Sequence, residues 1–218
     1  MRGTVFAADL DFFVYWNGVA VVEFVAEQEV LTILKGLGIA PNDDAATSGA
    51  GDDDAVVRLR LQDSENVVRL FVSAPGAEVS APAGAREMEM DHEKMAQMVE
   101  DAIVHLHLSE VLLIPLSKWR NVFDCVAFSL ADNEAWTEVD ATASVELNRR
   151  DPLLCLPSDY HTLRALVAAL LQDAEGEKQN LMVTTTAAPV LIEVIAGGAI
   201  QINVGNEVLA DELIGSLA

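Results

Sequence analysis

The sequence predicts an α+β fold, with an antiparallel or mixed sheet and helices on one face, and three observations carry that prediction. Short β-rich runs alternate along the chain with apolar stripes of helical period. The order strand–helix–strand–strand–helix–strand fits residues 19–116 and fits residues 111–190 again, which is the order of a ferredoxin-like split βαβ unit. Ser117 and Ser158 lie 41 positions apart, and each follows an apolar run with a proline near its end: Leu112-Leu113-Ile114-Pro115-Leu116 and Leu153-Leu154-Cys155-Leu156-Pro157. The same offset sets Trp119 against Tyr160, Val122 against Leu163 and Val126 against Val167. The chain therefore reads as two α+β halves, 1–110 and 111–218, ferredoxin-like or built as duplicated strand–helix–strand units.

Each element has a local cause. Residues 12–16 and 19–24 flank Asn17-Gly18, a pair that accepts the positive φ angles of a type I′ hairpin turn. Residues 27–38 put Val30, Leu31, Leu34 and Leu37 on one helical face and end at Gly36 and Gly38. Residues 40–54, rich in Ala, Asp, Gly and Ser, read as a mobile loop. Residues 56–61 and 67–73 read as a second hairpin, and Arg58 and Arg60 alternate with apolar neighbours, so one face of that strand meets water. Residues 74–86 form an Ala/Gly/Pro/Ser linker, expected to be a mobile loop.

Residues 92–108 form a helix capped by Asp91, with Met95, Met98, Val99, Ala102 and Ile103 on its apolar side. A strand over 111–116 leads to a helix capped by Ser117, then an extended run over 136–147 and a short strand over 153–156. Ser158 is expected to cap a helix over 159–173. Strands over 181–186, 190–195 and 199–204 close the fold, the last two turning at Gly197-Gly198, and Asn206 caps a final helix.

A chain of 218 residues that is 51% hydrophobic can bury a working core. Its 13 Lys and Arg against 35 Asp and Glu give a net charge of −22. Such a field repels phosphate backbones and anionic lipid heads, and no basic run exceeds two residues, which argues against nucleic-acid and membrane partners. Cys125 and Cys155 sit in apolar runs, as buried free thiols of a reducing cytoplasm do. Asp9 and Asp11 break the early apolar stretch, so no signal peptide is expected, and no run approaches the ~20 apolar residues of a membrane span.

Four groups of residues carry chemistry on paper. Asp9-Leu10-Asp11 after an apolar run resembles the way haloacid-dehalogenase-like phosphotransferases present a nucleophile and an acid, although the turn that should follow is replaced by continuing strand. His105 and His107 have the spacing of a metal pair on a strand, with His92 and Glu110 as further ligands, but they fall at a helix end, where positions i and i+2 diverge. Cys155 with Asp159, Tyr160 and His161 offers a nucleophile beside a base, in surroundings that raise a thiol pKa. Lys118-Trp119-Arg120 places an aromatic between two cations, the composition of a protein contact.

No cofactor is implied by any motif. The expected function is a non-enzymatic protein-binding or assembly module, self-associating through the sparsely charged hairpin over 190–204 if that hairpin lies at a sheet edge. The alternative is a metal-assisted hydrolase or phosphotransferase using Asp9/Asp11 or His105/His107.

Overall fold

The computed structural model describes residues 23–42, 56–62, 66–106, 110–143, 147 and 149–217. The period-two alternation of the strands decides which residues reach which layer. Eight of them form one mixed sheet: β1 (Glu23–Phe24), β4 (Val68–Ser73), β5 (Arg86–Glu89), β6 (Val111–Pro115), β7 (Leu153–Cys155), β8 (Leu181–Thr185), β9 (Val190–Ile195) and β10 (Ala199–Val204). Their order across the sheet is β1-β7-β6-β8-β9-β10-β4-β5. All neighbours are antiparallel except β4 and β5. Two further strands, β2 (Ile39–Pro41) and β3 (Leu59–Leu61), pair with each other in a separate small sheet.

On one face, Val190, Ile192 and Val194 of β9, Ile200, Ile202 and Val204 of β10, and Leu70 and Val72 of β4 point into the main core. Five helices cover that face: α2 (His92–His105), α3 (Trp119–Val126), α4 (Glu134–Ala143), α5 (Tyr160–Asp173) and α6 (Glu207–Leu217). α2 follows its apolar stripe, and Asp91 caps it by accepting from the Lys94 amide at 2.9 Å. Asn206 does the same for α6 through the Val208 amide at 2.8 Å. The opposite face is covered in part only. There α1 (Glu27–Gly36) and the small sheet place Val30, Leu34, Ile39 and Leu59 against Leu112, Leu116, Met182 and Leu191. The α+β class with a mixed sheet thus holds, with five described helices on one face and α1 on the other.

Several local expectations change. The expected strand over 136–147 is not formed by residues 136–143, which belong to helix α4, started by Asn133, whose Oδ1 accepts from the Trp136 amide at 3.0 Å; residues 144–146 lie outside the described residues. Aromatic and β-branched residues favour strands in isolation, but Trp136 is buried beside Phe123 with ring centroids 4.6 Å apart, and that packing wins. The strands β3 and β4 do not form a hairpin with each other, because β3 joins β2 while β4 joins β10 and β5. Ala40 and Pro41 belong to β2 rather than to a loop, and residues 43–55 lie outside the described residues. The linker over 74–85 is the crossover between parallel strands, which cannot be joined by a tight turn. It is fastened where the Ala74 amide donates to the Gly198 carbonyl at 2.8 Å.

Neither serine acts as the expected helix cap. Ser117 Oγ accepts from Asn121 Nδ2 at 3.1 Å, and the N-cap position of α3 is Lys118. Ser158 Oγ donates to Asp159 Oδ1, while the Asp159 Oδ2 accepts from the Leu156 amide at 3.1 Å. The turn at Gly197-Gly198 forms as expected, with φ of 89° and 88°. The hairpin over residues 12–24 lies outside the described residues except for its last two, which form β1.

The main sheet takes strands from both sides of residue 110: β1 pairs with β7, and β4 with β10. The 41-residue correspondence covers β6 and β7 and the starts of α3 and α5, then ends where α4 stands in place of a strand. Ferredoxin-like duplication is not confirmed.

Trp119 anchors the helical layer. It is fully buried, its rings meet Phe24 and Phe123 edge-on at 6.2 and 5.8 Å, and its Nε1 donates to the Asp151 carbonyl at 2.8 Å. Trp119→Ala is expected to cost about 3–5 kcal/mol of stability, measured by urea unfolding, because it opens a large cavity and leaves a buried carbonyl unpaired.

Candidate functional site

The uncovered part of the second face is a cleft of about 580 Å³. Its floor is made by the alternate residues of β9, β10 and β4 that turn away from the main core: Glu193, Ile195, Gln201, Asn203, Arg69 and Phe71. The ladder fixes their arrangement. Glu193 lies opposite Gln201, Gln201 opposite Phe71, and Asn203 opposite Arg69. One wall is the small sheet, through Asn42, Arg58 and Arg60. The other is the crossover over 74–85, through Val79, Ser80 and Pro82. Gly197 helps hold that second wall, since a Cβ there would come within 3.2 Å of Val79 Cγ2. The cleft exists because β2, β3 and α1 shield β6, β8 and β9 while leaving β10 and β4 open.

Glu193 is the acidic member of this lining, and it is 8% exposed. A carboxylate so placed needs donors. Its Oε1 accepts from Asn180 Nδ2 at 3.0 Å and from Arg58 Nε at 3.1 Å. Arg58 also reaches Glu177 with Nη1 at 2.7 Å, and Asn180 Oδ1 accepts from the Ala196 amide at 2.8 Å. This network ties the small sheet to the main one. Arg69 has no charged partner among the described residues. Gln201 Nε2 donates to Asn203 Oδ1 at 3.0 Å, which aligns two carboxamides along the floor. Asn42 Oδ1 is buried without a hydrogen-bond partner among the described residues. The lining thus holds three arginines and one carboxylate in a chain of net charge −22.

The described residues that the sequence singles out as chemical candidates lie elsewhere. Asp9, Asp11 and His107 are outside the described residues. His105 is the last residue of α2, consistent with a helix C-terminus, and His92 is the first. Among the described residues no cluster of three or more His, Cys, Asp or Glu could hold a metal. Trp119 has no exposed surface, so the aromatic of Lys118-Trp119-Arg120 packs inward and offers nothing to a partner; Lys118 is half-buried and Arg120 exposed, and both are already engaged by other groups. The hairpin of β9 and β10 is central in the sheet, not at an edge, so its backbone groups are already paired. No described helix is long and apolar enough to cross a membrane.

Cys155 is buried, and its thiol is pushed up to about 12 by burial and then by the Asp159 charge. Burial, with Asp173 nearby, pushes Cys125 up to about 11. His161 contacts Thr162 Oγ1 at 3.3 Å, and Asp159 is occupied with capping, so no base is set against the Cys155 sulfur.

The cleft residues escaped the sequence reading although each left a trace. Glu193 interrupts Val190-Leu191-Ile192, and Gln201 and Asn203 alternate with isoleucines, just as Arg58 and Arg60 alternate with leucines. Polar residues at period two in several strands mark one wet face, but only the strand order shows that they share it.

Iodoacetamide at about pH 8 is expected to leave Cys155 unmodified in the native chain and to modify it in urea, as peptide mapping would show. Below about pH 9 both thiols are neutral in the folded and unfolded chain. Above it the unfolded chain ionises first, so their contribution to stability is lost as pH climbs through about 11–12. Arg58→Ala is expected to cost about 1–3 kcal/mol by stranding the Glu193 carboxylate, less than a fully buried pair would lose because Arg58 is partly solvated. Glu193→Gln in the same chain should recover part of that loss in a double-mutant cycle. No family model, no curated protein and no solved structure matches the chain.

Proposed function

We propose that the protein is a non-enzymatic binding module and that the cleft between the small sheet and the crossover is where its ligand sits. The observation that supports this reading is the cleft itself. A volume of about 580 Å³ falls in the range of small-molecule sites, about 300–1,000 Å³. Its floor carries carboxamide and guanidinium groups on paired strands rather than on loops, so their positions are set by the ladder. Among the described residues its lining holds no cysteine or histidine, and the one carboxylate is engaged by Arg58 and Asn180. Groups of this kind hold and orient a ligand without supplying a nucleophile or a proton shuttle.

A panel of polar metabolites in thermal-shift format tests the reading. At least one is expected to raise the unfolding temperature, since a ligand at a hundred times its dissociation constant adds about 2.7 kcal/mol. It should do so without being consumed, as mass spectrometry of the mixture would show. Gln201→Trp, which fills the floor, should abolish the shift. A shift that persists in Gln201→Trp, or turnover of the ligand, would refute the proposal.

A further inference from the structure

We infer that the ligand of this cleft is a small organic anion, a carboxylate or a phosphate ester, that also carries a hydroxyl or amine. The inference rests on the cleft being a ligand site and adds its chemistry.

The anionic part follows from the charges that remain after internal pairing. Arg58 is engaged by Glu193 and Glu177, so it neutralises its surroundings. Arg69 sits on the floor beside Asn203 with no charged partner among the described residues. A guanidinium in a concave, partly apolar site offers a planar fork of donors that suits carboxylate and phosphate oxygens. Phe71, Val79 and Pro82 supply low-dielectric surroundings that strengthen such a contact. The total charge of −22 does not oppose it at close range. At physiological ionic strength, exposed charges beyond about 8 Å are largely screened. A bound anion therefore senses the nearby Arg69 guanidinium more than the acidic exterior.

The donor part follows from the acceptor left over. Glu193 uses Oε1 for both Arg58 and Asn180, which leaves Oε2 without a partner among the described residues. Glu193 lines the cleft, so this oxygen can accept an N–H or O–H from whatever fills it. A ligand with only anionic oxygens would meet Arg69 and be repelled by this carboxylate oxygen.

The experiment is a titration of the full, 15N-labelled chain followed by amide and arginine side-chain resonances. The probes are succinate, malate, inorganic phosphate, glycerol 3-phosphate and uncharged glycerol, at ionic strength held constant with sodium chloride. Saturable shifts at Arg69, Gln201 and Asn203 are expected with malate or glycerol 3-phosphate. Binding should weaken at least about tenfold in Arg69→Gln, with the rest of the spectrum unchanged, and recover in part in Arg69→Lys. Malate above glycerol 3-phosphate supports the inference and identifies the anion as a carboxylate; the reverse order supports it and identifies a phosphate ester. Equal affinity for malate and succinate, with glycerol 3-phosphate no tighter than phosphate, would overturn the donor requirement. Binding of glycerol as tight as that of the anions would overturn the anionic class while leaving the cleft as a ligand site. An absence of saturable shifts with every anion, or shifts indifferent to Arg69→Gln, would overturn the inference outright.

Discussion

A carboxylate on a central strand cannot be left without donors, and the need of Glu193 organises much of this molecule. β9 lies between β8 and β10, so its main-chain groups are consumed by the ladder and the Glu193 side chain must find donors off the sheet. It takes one from Asn180, just before β8, and one from Arg58, just before β3. The second bond crosses from one sheet to another. It helps decide where the small sheet comes to rest, and with it one wall of the cleft.

The two faces of the main sheet are solved differently. Five helices press on one face, and every inward position of β9, β10 and the middle of β4 is apolar and buried. A layer of that kind admits no ligand, because interiors are packed to crystalline density. On the other face, one helix and a three-residue ladder cannot span eight strands. They seal β6, β8 and part of β9, where Leu59, Met182 and Leu191 meet, and the Leu59 amide even donates to the Met182 sulfur at 3.4 Å. Beyond them the sheet turns polar. The opening is thus a consequence of unequal coverage, and the alternation of the strands lets the same three segments serve a dry core and a wet floor.

The reactive side chains fall on the other side of this division. Both described thiols pack into the core between the sheet and the helical layer, where burial suppresses ionisation, and Trp119 packs there too. Among the described residues, the polar lining of the open region consists of guanidinium, carboxamide and hydroxyl groups and one compensated carboxylate.

The sequence by itself determined the class of fold, the place of most described elements and some of the turns and caps, because these depend on neighbours a few residues apart. Asp91 and Asn206 cap, Gly197 and Gly198 turn, and the stripe of α2 faces inward as its spacing requires. It misread residues 136–143, where strand-forming side chains serve a helix that only the contact with Phe123 justifies. It marked Arg58 and Arg60 as facing water but gave no sign that Arg69, Glu193, Gln201 and Asn203 share a face with them. Only the tertiary structure joins them, by pairing β10 with β4 across more than a hundred residues and laying β3 over β8 and β9. Alternation tells which side of a strand is wet, but strand order is fixed by the burial of whole faces, and that is a property of the assembled layers rather than of any local run.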